Sequence, residues 1–309
     1  MSAATAFLLA AGHGTRLRPL TERVPKALVP VCGVPMLDHA LALARAHGHT
    51  EILVNAHHLW PQVAAWAEEH GVQLQVELPD ILGTGGGLRA ALDRLAPEVL
   101  ILNADILCDV DLTALGRAMP PSGAAMALRP SPEAERFGPV EPDEAGRVRR
   151  ISSVVGPPGS GQGGLHFTGI HAMSREAIAR VPAEGEQCVV RSAYRELVPL
   201  GLVGSTLHRG VWVDVGTPTA YLEANLAVLA GRLRAPLDPW TRGERLPAGC
   251  WAGRGAQVEG QARTSILGEG CLVPADSRIE DCVVWAGVRV PPGEHRRMIF
   301  AAADVAVPG

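Results

Sequence analysis

The 309-residue chain is predicted to fold as an α/β domain whose mostly parallel sheet is covered by helices on both faces, followed by a short C-terminal left-handed parallel β-helix. Two periodicities carry this expectation. Up to about residue 102, short apolar runs alternate with amphipathic helical patterns, the signature of consecutive βαβ units. Near the C-terminus, apolar residues recur every six positions instead.

The first strand is predicted over Thr5 to Ala10, a helix over Met36 to His47 and a second strand over Glu51 to Asn55. A helix over Gln62 to Glu69, a strand over Val72 to Glu77, a helix over Gly87 to Leu95 and a buried strand over Val99 to Leu102 continue the alternation. Strands that are apolar at every position, not every second one, belong to a sheet covered on both faces. Ligands of such sheets bind beyond the carboxyl ends of the strands, so function is sought just after each strand.

Composition narrows the choices. With 47% apolar and 19% charged residues the chain is an ordinary globular protein. A net charge of -4 and a pI near 6.3 carry no basic excess, which argues against a nucleic-acid binder. No apolar run reaches membrane-spanning length. The N-terminus, MSAATAFLLAAG, lacks a basic n-region, so neither a signal nor a transit peptide is expected. Six scattered cysteines without a CxxC pair suit reduced thiols and a cytoplasmic setting.

One lysine stands among 28 lysines and arginines together. That residue, Lys26, lies in the densest motif of the chain, LLAAGHGTRLRPLTERVPKALVP, Leu8 to Pro30. A chain that otherwise uses arginine has placed a compact ammonium at one position, where a guanidinium fork is not equivalent. In the same loop Gly12 and Gly14 allow the backbone amides to approach an anion, and Arg16 adds a second cation. The loop is not a Walker A loop, and Leu17 occupies the third glycine position of GxGxxG, which argues against a dinucleotide fold. Cations beside an amide nest suit phosphoryl chemistry.

Two carboxylates end apolar strands: Asp105 in Asn103-Ala104-Asp105-Ile106 and Asp214 in Trp212-Val213-Asp214-Val215. Together they suit one Mg²⁺ that keeps several waters and binds a polyphosphate. The plain alternative is capping, for which Asp105, Asp109 and Asp111 are all candidates. Thr217 and Pro218 are predicted to cap and open a helix over Thr219 to Leu233. The run Gly83-Thr84-Gly85-Gly86-Gly87 is either a ligand-facing loop or a hinge.

The Leu8 to Pro30 motif, LGTGGG at Leu82 to Gly87, NADI at Asn103 to Ile106 and WVDVGTP at Trp212 to Pro218 resemble, in the expected order, those of the sugar-1-phosphate nucleotidyltransferases. The resemblance covers roughly residues 5 to 232. It implies a Rossmann-like mixed sheet and transfer of a nucleotidyl group from an NTP to a sugar 1-phosphate, with release of pyrophosphate. Carried onto this chain, the backbone of Leu9, Ala10, Ala11 and Gly12 borders the nucleoside, and Gly14, Thr15 and Arg16 wrap the triphosphate. Glu77, Gly83, Thr84 and Gly85 lie against base and ribose. Arg16 and Lys26 are the catalytic cations, and Asp105 and Asp214 bind Mg²⁺.

On the sugar side the chain departs from the family. The Glu-Lys-Pro motif is replaced by Arg149-Arg150-Ile151-Ser152-Ser153-Val154-Val155-Gly156-Pro157-Pro158, and Asn-Ala-Gly-Ile-Tyr by Phe167-Thr168-Gly169-Ile170-His171. The resemblance leaves Gly138, Thr168 and Gly169 as sugar contacts and Arg149, Arg150 or Arg191 as sources of a second cation. The missing motif resembles the N-acetylmuramate 1-phosphate uridylyltransferase branch. The tail resembles mannose-1-phosphate guanylyltransferase-like members.

In that tail Leu267, Val273, Ile279 and Trp285 repeat at six residues, with the small Ser265, Cys271 and Ser277 two positions ahead of the first three. The expected organisation is a catalytic domain over 1–234, a linker over 235–247 and the β-helix over 248–309. Too short for many coils, the β-helix is expected to pack on the catalytic domain or on a second copy, as in a homo-oligomer. The rival to an active enzyme is a catalytically inactive nucleotide-sugar-binding regulatory subunit.

Overall fold

The computed structural model describes residues 4–132, 134, 138–151, 154–156 and 164–309. Phe137, Ser152, Ser153, Pro157 and Pro158 of the sugar-side motifs lie outside the described residues. The chain divides into two compact units. One comprises Met1–Gly12, Leu43–Ala104 and Asp109–Gly210, the other His13–Ala42, Asp105–Cys108 and Val211–Gly309.

The first unit is built on a seven-stranded mixed sheet. From edge to edge its strands are Val203–Leu207, Ala124–Pro130, Leu165–Ser174, Glu98–Asn103, Ala4–Leu9, Glu51–Ala56 and Gln73–Val76. Leu165–Ser174 runs antiparallel to both neighbours, and the other four pairings are parallel. Ala6, Phe7 and Leu8 are each 0% exposed. Successive strand residues point to opposite sides, so both faces of the sheet are covered. The predicted strands thus form, each within a residue or two of its expected bounds.

The helices differ more. The helix expected from Gln62 spans Trp60–His70, with Pro61 in its first turn, and ends at Gly71, whose φ of 64° lets its N–H donate back to Ala67 O. The helix expected over Gly87 to Leu95 instead begins at Gly83, spans Gly83–Ala90 and gives way to a 3₁₀ turn at Leu92–Arg94. Glycine's poor helix propensity, about 1 kcal/mol each, made this run read as a loop. Tertiary packing overrides that penalty. A Cβ at Gly83 would lie 2.7 Å from Gln187 O, and the Gly85 amide donates to the same carbonyl at 2.8 Å.

The second unit gathers the segment after the first strand, a small ladder and the tail. Three 3₁₀ turns, Thr15–Leu17, Leu20–Glu22 and Lys26–Leu28, lead into a hairpin of Pro30–Val31 and Val34–Pro35. The hairpin turn has positive φ at both Cys32 (46°) and Gly33 (73°), which matches the twist of the strands it joins. The helix Met36–Ala46 opens in this unit. The helix predicted from Thr219 spans Pro218–Leu229, with Thr217 Oγ1 accepting from the Ala220 amide at 3.2 Å. It stops short of Leu233 because Gly231 turns the chain at φ 69°.

The tail is a β-helix of short parallel strands. Trp251, Ile266, Val283 and Ile299 stack in register on one face. Gln257–Val258 with Leu272–Val273 form a second face, and Gln261–Arg263, Ser277–Glu280 and Gly293–Arg296 a third. The six-residue period therefore steps around the coil: Leu267, Val273 and Ile279 fall on the three faces in turn. All three are buried, as are Ser265, Cys271 and Ser277. The segment read as a linker holds a 3₁₀ turn capped by Asp238 and a strand, Gly243–Leu246, that pairs antiparallel with Cys250–Gly253 and covers one edge of the coil. Val305–Pro308 pairs antiparallel at the other edge.

No helix among the described residues is long and apolar enough to cross a membrane. All six cysteines are free thiols.

Candidate active site

The charged residues expected around the phosphates lie within the second unit. Ile106–Cys108 and Trp212–Asp214 form an antiparallel pair in which Asp214 sits opposite Ile106, and the Val215 amide donates to Asp105 O at 3.1 Å. Two residues 109 positions apart in sequence are thereby set side by side. The Lys26 ammonium pairs with Asp105 Oδ2 and lies 3.7 Å from Asp214 Oδ1. Arg16 Nη2 lies 3.4 Å from Asp214 Oδ2.

Exposure separates the roles of these groups. The Lys26 side chain is 11% exposed, whereas those of Asp105 and Asp214 are 30% and 27% exposed. The carboxylates thus keep oxygen surface open to a ligand while the ammonium is fixed between them. Two glycines make the cluster possible. Gly14, at φ 62°, would put a Cβ 3.0 Å from Lys26 Cβ, and its carbonyl accepts from Thr21 Oγ1 at 2.8 Å. A Cβ at Gly216 would lie 2.8 Å from Asp214 Oδ1 and 2.9 Å from Arg16 Nη2. Gly216 is a site residue that sequence reasoning missed, although it stood within the WVDVGTP motif. Thr15 and Arg16 are exposed beside Gly14.

The capping alternative belongs to another aspartate. Asp111 caps Leu112–Ala118, its Oδ1 accepting from the Ala114 amide at 2.9 Å.

The first unit holds the residues expected against the nucleoside, and Glu77 ties some of them together. Glu77 is 1% exposed, and both of its oxygens are used. Oε1 accepts from Asn55 Nδ2 at 2.7 Å and Oε2 from the Leu82 amide at 2.8 Å. Asn55 Oδ1 in turn accepts from the Ala10 amide at 2.7 Å. Glu77 therefore fixes the end of the first strand, through Asn55, and the start of the glycine helix. Asn55 was not expected here; its one sequence signal was a polar residue closing an apolar strand. Leu9 O accepts from the Ala104 amide at 3.0 Å, and Ala11 is buried. Gly12 is exposed, and a Cβ there would meet nothing within 4 Å. Thr84 Oγ1 accepts from the Val189 amide at 3.2 Å. His57 Nδ1 lies 2.8 Å from Glu77 O, consistent with a structural histidine.

On the sugar side, Gly169 (φ 81°) sits where the strand Leu165–Ser174 shifts register, and Gly138 has φ 91°. Thr168 is 1% exposed and its hydroxyl donates to Ala127 O at 2.8 Å. Arg149 pairs with Asp143 at 2.7 Å and Arg150 with Glu141 at 2.6 Å, while Arg191 is exposed.

A family model described as nucleotidyl transferase matches residues 5–231, and the chain belongs to that family. The resemblance drawn from the four motifs is thereby borne out. Mannose-1-phosphate guanylyltransferase of Mycobacterium tuberculosis is 29% identical over 301 residues, covering 93% of this chain and 81% of that protein. N-acetylmuramate alpha-1-phosphate uridylyltransferase of Neisseria meningitidis serogroup B is 32% identical over 239 residues, covering 73% of this chain and 98% of that protein. Among solved structures, HddC from Yersinia pseudotuberculosis complexed with GMP-PN superposes with a TM-score of 0.58 at 20% identity, over 72% of this chain and 98% of that one. That likeness is one of fold.

Proposed function

We propose that the chain transfers a nucleotidyl group from an NTP to a sugar 1-phosphate, giving an NDP-sugar and pyrophosphate, with GTP and mannose 1-phosphate or UTP and N-acetylmuramate 1-phosphate as the leading pairs. The convergence of Lys26, Arg16, Asp105 and Asp214 carries this reading. A held ammonium, a nearby exposed guanidinium and two open carboxylates stand together there, and such a set stabilises charge moving along a triphosphate. The relatives supply the two substrate pairs.

Mg²⁺ suits the donor set. The two carboxylates are acceptors only and partly exposed, and no group of three or more His, Cys, Asp or Glu that could hold a metal occurs among the described residues. A cation that binds through one or two carboxylates and fills its remaining positions with water and phosphate oxygens fits such a pair. Asp105 and Asp214 would hold it, and when bound it neutralises phosphate charge.

The chain's own groups do the rest. Amides of Gly14 and Thr15 with the Arg16 guanidinium hold the β- and γ-phosphates, and Lys26 neutralises the region around the α-phosphorus. Leu9 to Gly12 and Gly83 to Gly85 line the base and ribose, with Glu77 anchoring those segments from within, and the backbone of Gly138, Thr168 and Gly169 borders the sugar. A sugar-phosphate oxygen attacks the α-phosphorus in line. The bond to the β-phosphate oxygen breaks, and pyrophosphate leaves with that electron pair. No covalent enzyme intermediate is required, since positioning and charge neutralisation lower the barrier. The tail is inferred to coil left-handedly and to offer a surface for a second copy, and six free thiols accord with a cytoplasmic setting.

Pyrophosphate release across a panel of NTPs and sugar 1-phosphates, with and without Mg²⁺, tests the proposal. Turnover with at least one pair is expected. Tight nucleotide-sugar binding without turnover for any pair would replace the enzyme by a regulatory subunit.

A further inference from the structure

The helix Pro218–Leu229 begins four residues after Asp214, and two side chains on one of its faces reach the same target. Tyr221 and Asn225, four residues apart, lie one above the other on a helix. Tyr221 OH donates to Pro30 O at 2.6 Å, and Asn225 Oδ1 accepts from the Cys32 amide at 2.8 Å. Both partners belong to the hairpin that directly follows the 3₁₀ turn Lys26–Leu28. That hairpin is clamped again at its tip, because a Cβ on Gly33 would lie 2.2 Å from Trp251 Cη2.

The β-helix closes the connection. Trp285 Nε1 donates to Tyr221 OH at 2.9 Å, with the two rings edge to face at 6.5 Å. Tyr221 is 0% exposed, and burial pushes its phenol well up, so the hydroxyl remains a donor. One phenol thus spends its proton on the loop and its lone pair on the tail. An apolar residue would fill the same volume at a core position, so the hydroxyl calls for an explanation of its own.

We propose that Tyr221 is a positioning residue: through its hydroxyl the C-terminal β-helix holds the hairpin that follows Lys26, and so sets where the Lys26 ammonium stands against Asp105 and Asp214. The tail is then part of the transferase machinery and not only an assembly surface. The consequence for activity rests on the function proposed above; the consequence for Lys26 does not.

Because the chain has a single lysine, ¹⁵N-labelled protein gives one lysine side-chain ammonium resonance, which reports on Lys26 directly. Tyr221→Phe keeps the ring and removes the hydroxyl, leaving Pro30 O and Trp285 Nε1 without this partner. The expected result is a shift or loss of the Lys26 resonance and a fall in kcat of roughly tenfold or more, from a sub-ångström to ångström displacement. KM for the NTP should stay within about twofold, since ground-state binding is little touched. Trp285→Phe should move the resonance the same way but less, and the double variant should add little to Tyr221→Phe, because both act through one hydroxyl. Val290→Ala, which removes buried packing of the coil but leaves the Tyr221 hydroxyl in place, should lower the melting temperature without moving the resonance. An unmoved Lys26 resonance in folded Tyr221→Phe overturns the proposal whatever the turnover, and if that variant does not fold, Trp285→Phe decides in the same way. Absence of turnover in the wild type would remove the proposed function, while the resonance still decides this inference.

Discussion

Glu77 in the first unit and the pair Asp105 and Asp214 in the second are held in opposite ways. In the first, Glu77 is buried and each of its oxygens accepts a hydrogen bond from Asn55 or the Leu82 amide. In the second, Asp105 and Asp214 keep about a third of their side-chain surface open and have cations, not amides, beside them. A carboxylate satisfied by neutral donors is a structural anchor; one held open between cations is available to a ligand. Glu77 should therefore report on stability and on the shape of the nucleoside site, and the aspartates on turnover.

Substitutions that exchange charge for shape break this comparison most sharply. Asp105→Asn and Asp214→Asn should each fold and each lower kcat by roughly 10² to 10³, the scale of a lost electrostatic contact in a transition state. The Mg²⁺ concentration needed for half-maximal rate should rise at the same time. Pyrophosphate release measured against Mg²⁺ checks both, and an unchanged rate in both variants would deny the carboxylates their role.

Gly12 offers the next contrast. Its missing Cβ faces nothing in the chain, so Gly12→Ala should leave the melting temperature unchanged while raising KM for the NTP by roughly tenfold, as expected if the nucleotide approaches its backbone. An unchanged KM would remove Gly12 from the nucleotide site.

Glu77→Gln tests the anchor. One amide oxygen of the new side chain can replace one carboxylate oxygen, but its NH₂ must then face either the Asn55 NH₂ or the Leu82 N–H. The expected loss is about 1–3 kcal/mol of stability, read as a lowered denaturation midpoint. A variant as stable as the wild type would mean that the network is not under tension between donors.

A separate effect is on pH. Burial lowers the pKa of His39, in the second unit, to about 4 and that of His171, in the first, to about 3. With both folded values depressed below the ordinary 6.5, the unfolded chain binds more protons than the folded one below that pH. Stability is then full above pH 6.5 and declines as pH falls toward 4 and then 3. Thermal melts across this range check the sign, and His171→Asn should flatten the more acidic part of the decline.

Much of this was legible from sequence for a physical reason. Strand-end carboxylates, a lone lysine and a hexad period are local patterns, and Lys26, Asp105, Asp214 and the β-helix were each read from them. The glycine helix at Gly83–Ala90 was not, because its glycines answer to the Gln187 backbone more than a hundred residues away. Nor was the Tyr221 to Pro30 bond, since a tyrosine in an apolar helix reads as core until the chain is folded around it. The Gly243–Leu246 strand was hidden in a Pro-rich stretch for the same reason: its partner, not its composition, makes it a strand.

The central claim is that an ammonium, and not merely a positive charge, stands between Asp105 and Asp214. Pyrophosphate release by Lys26→Arg beside the wild type, at matched Mg²⁺ and substrates, measures this most directly. The account predicts an unchanged melting temperature and a fall in kcat/KM of roughly a hundredfold or more, because the wider guanidinium fork cannot occupy the same point. Turnover near that of the wild type would contradict it.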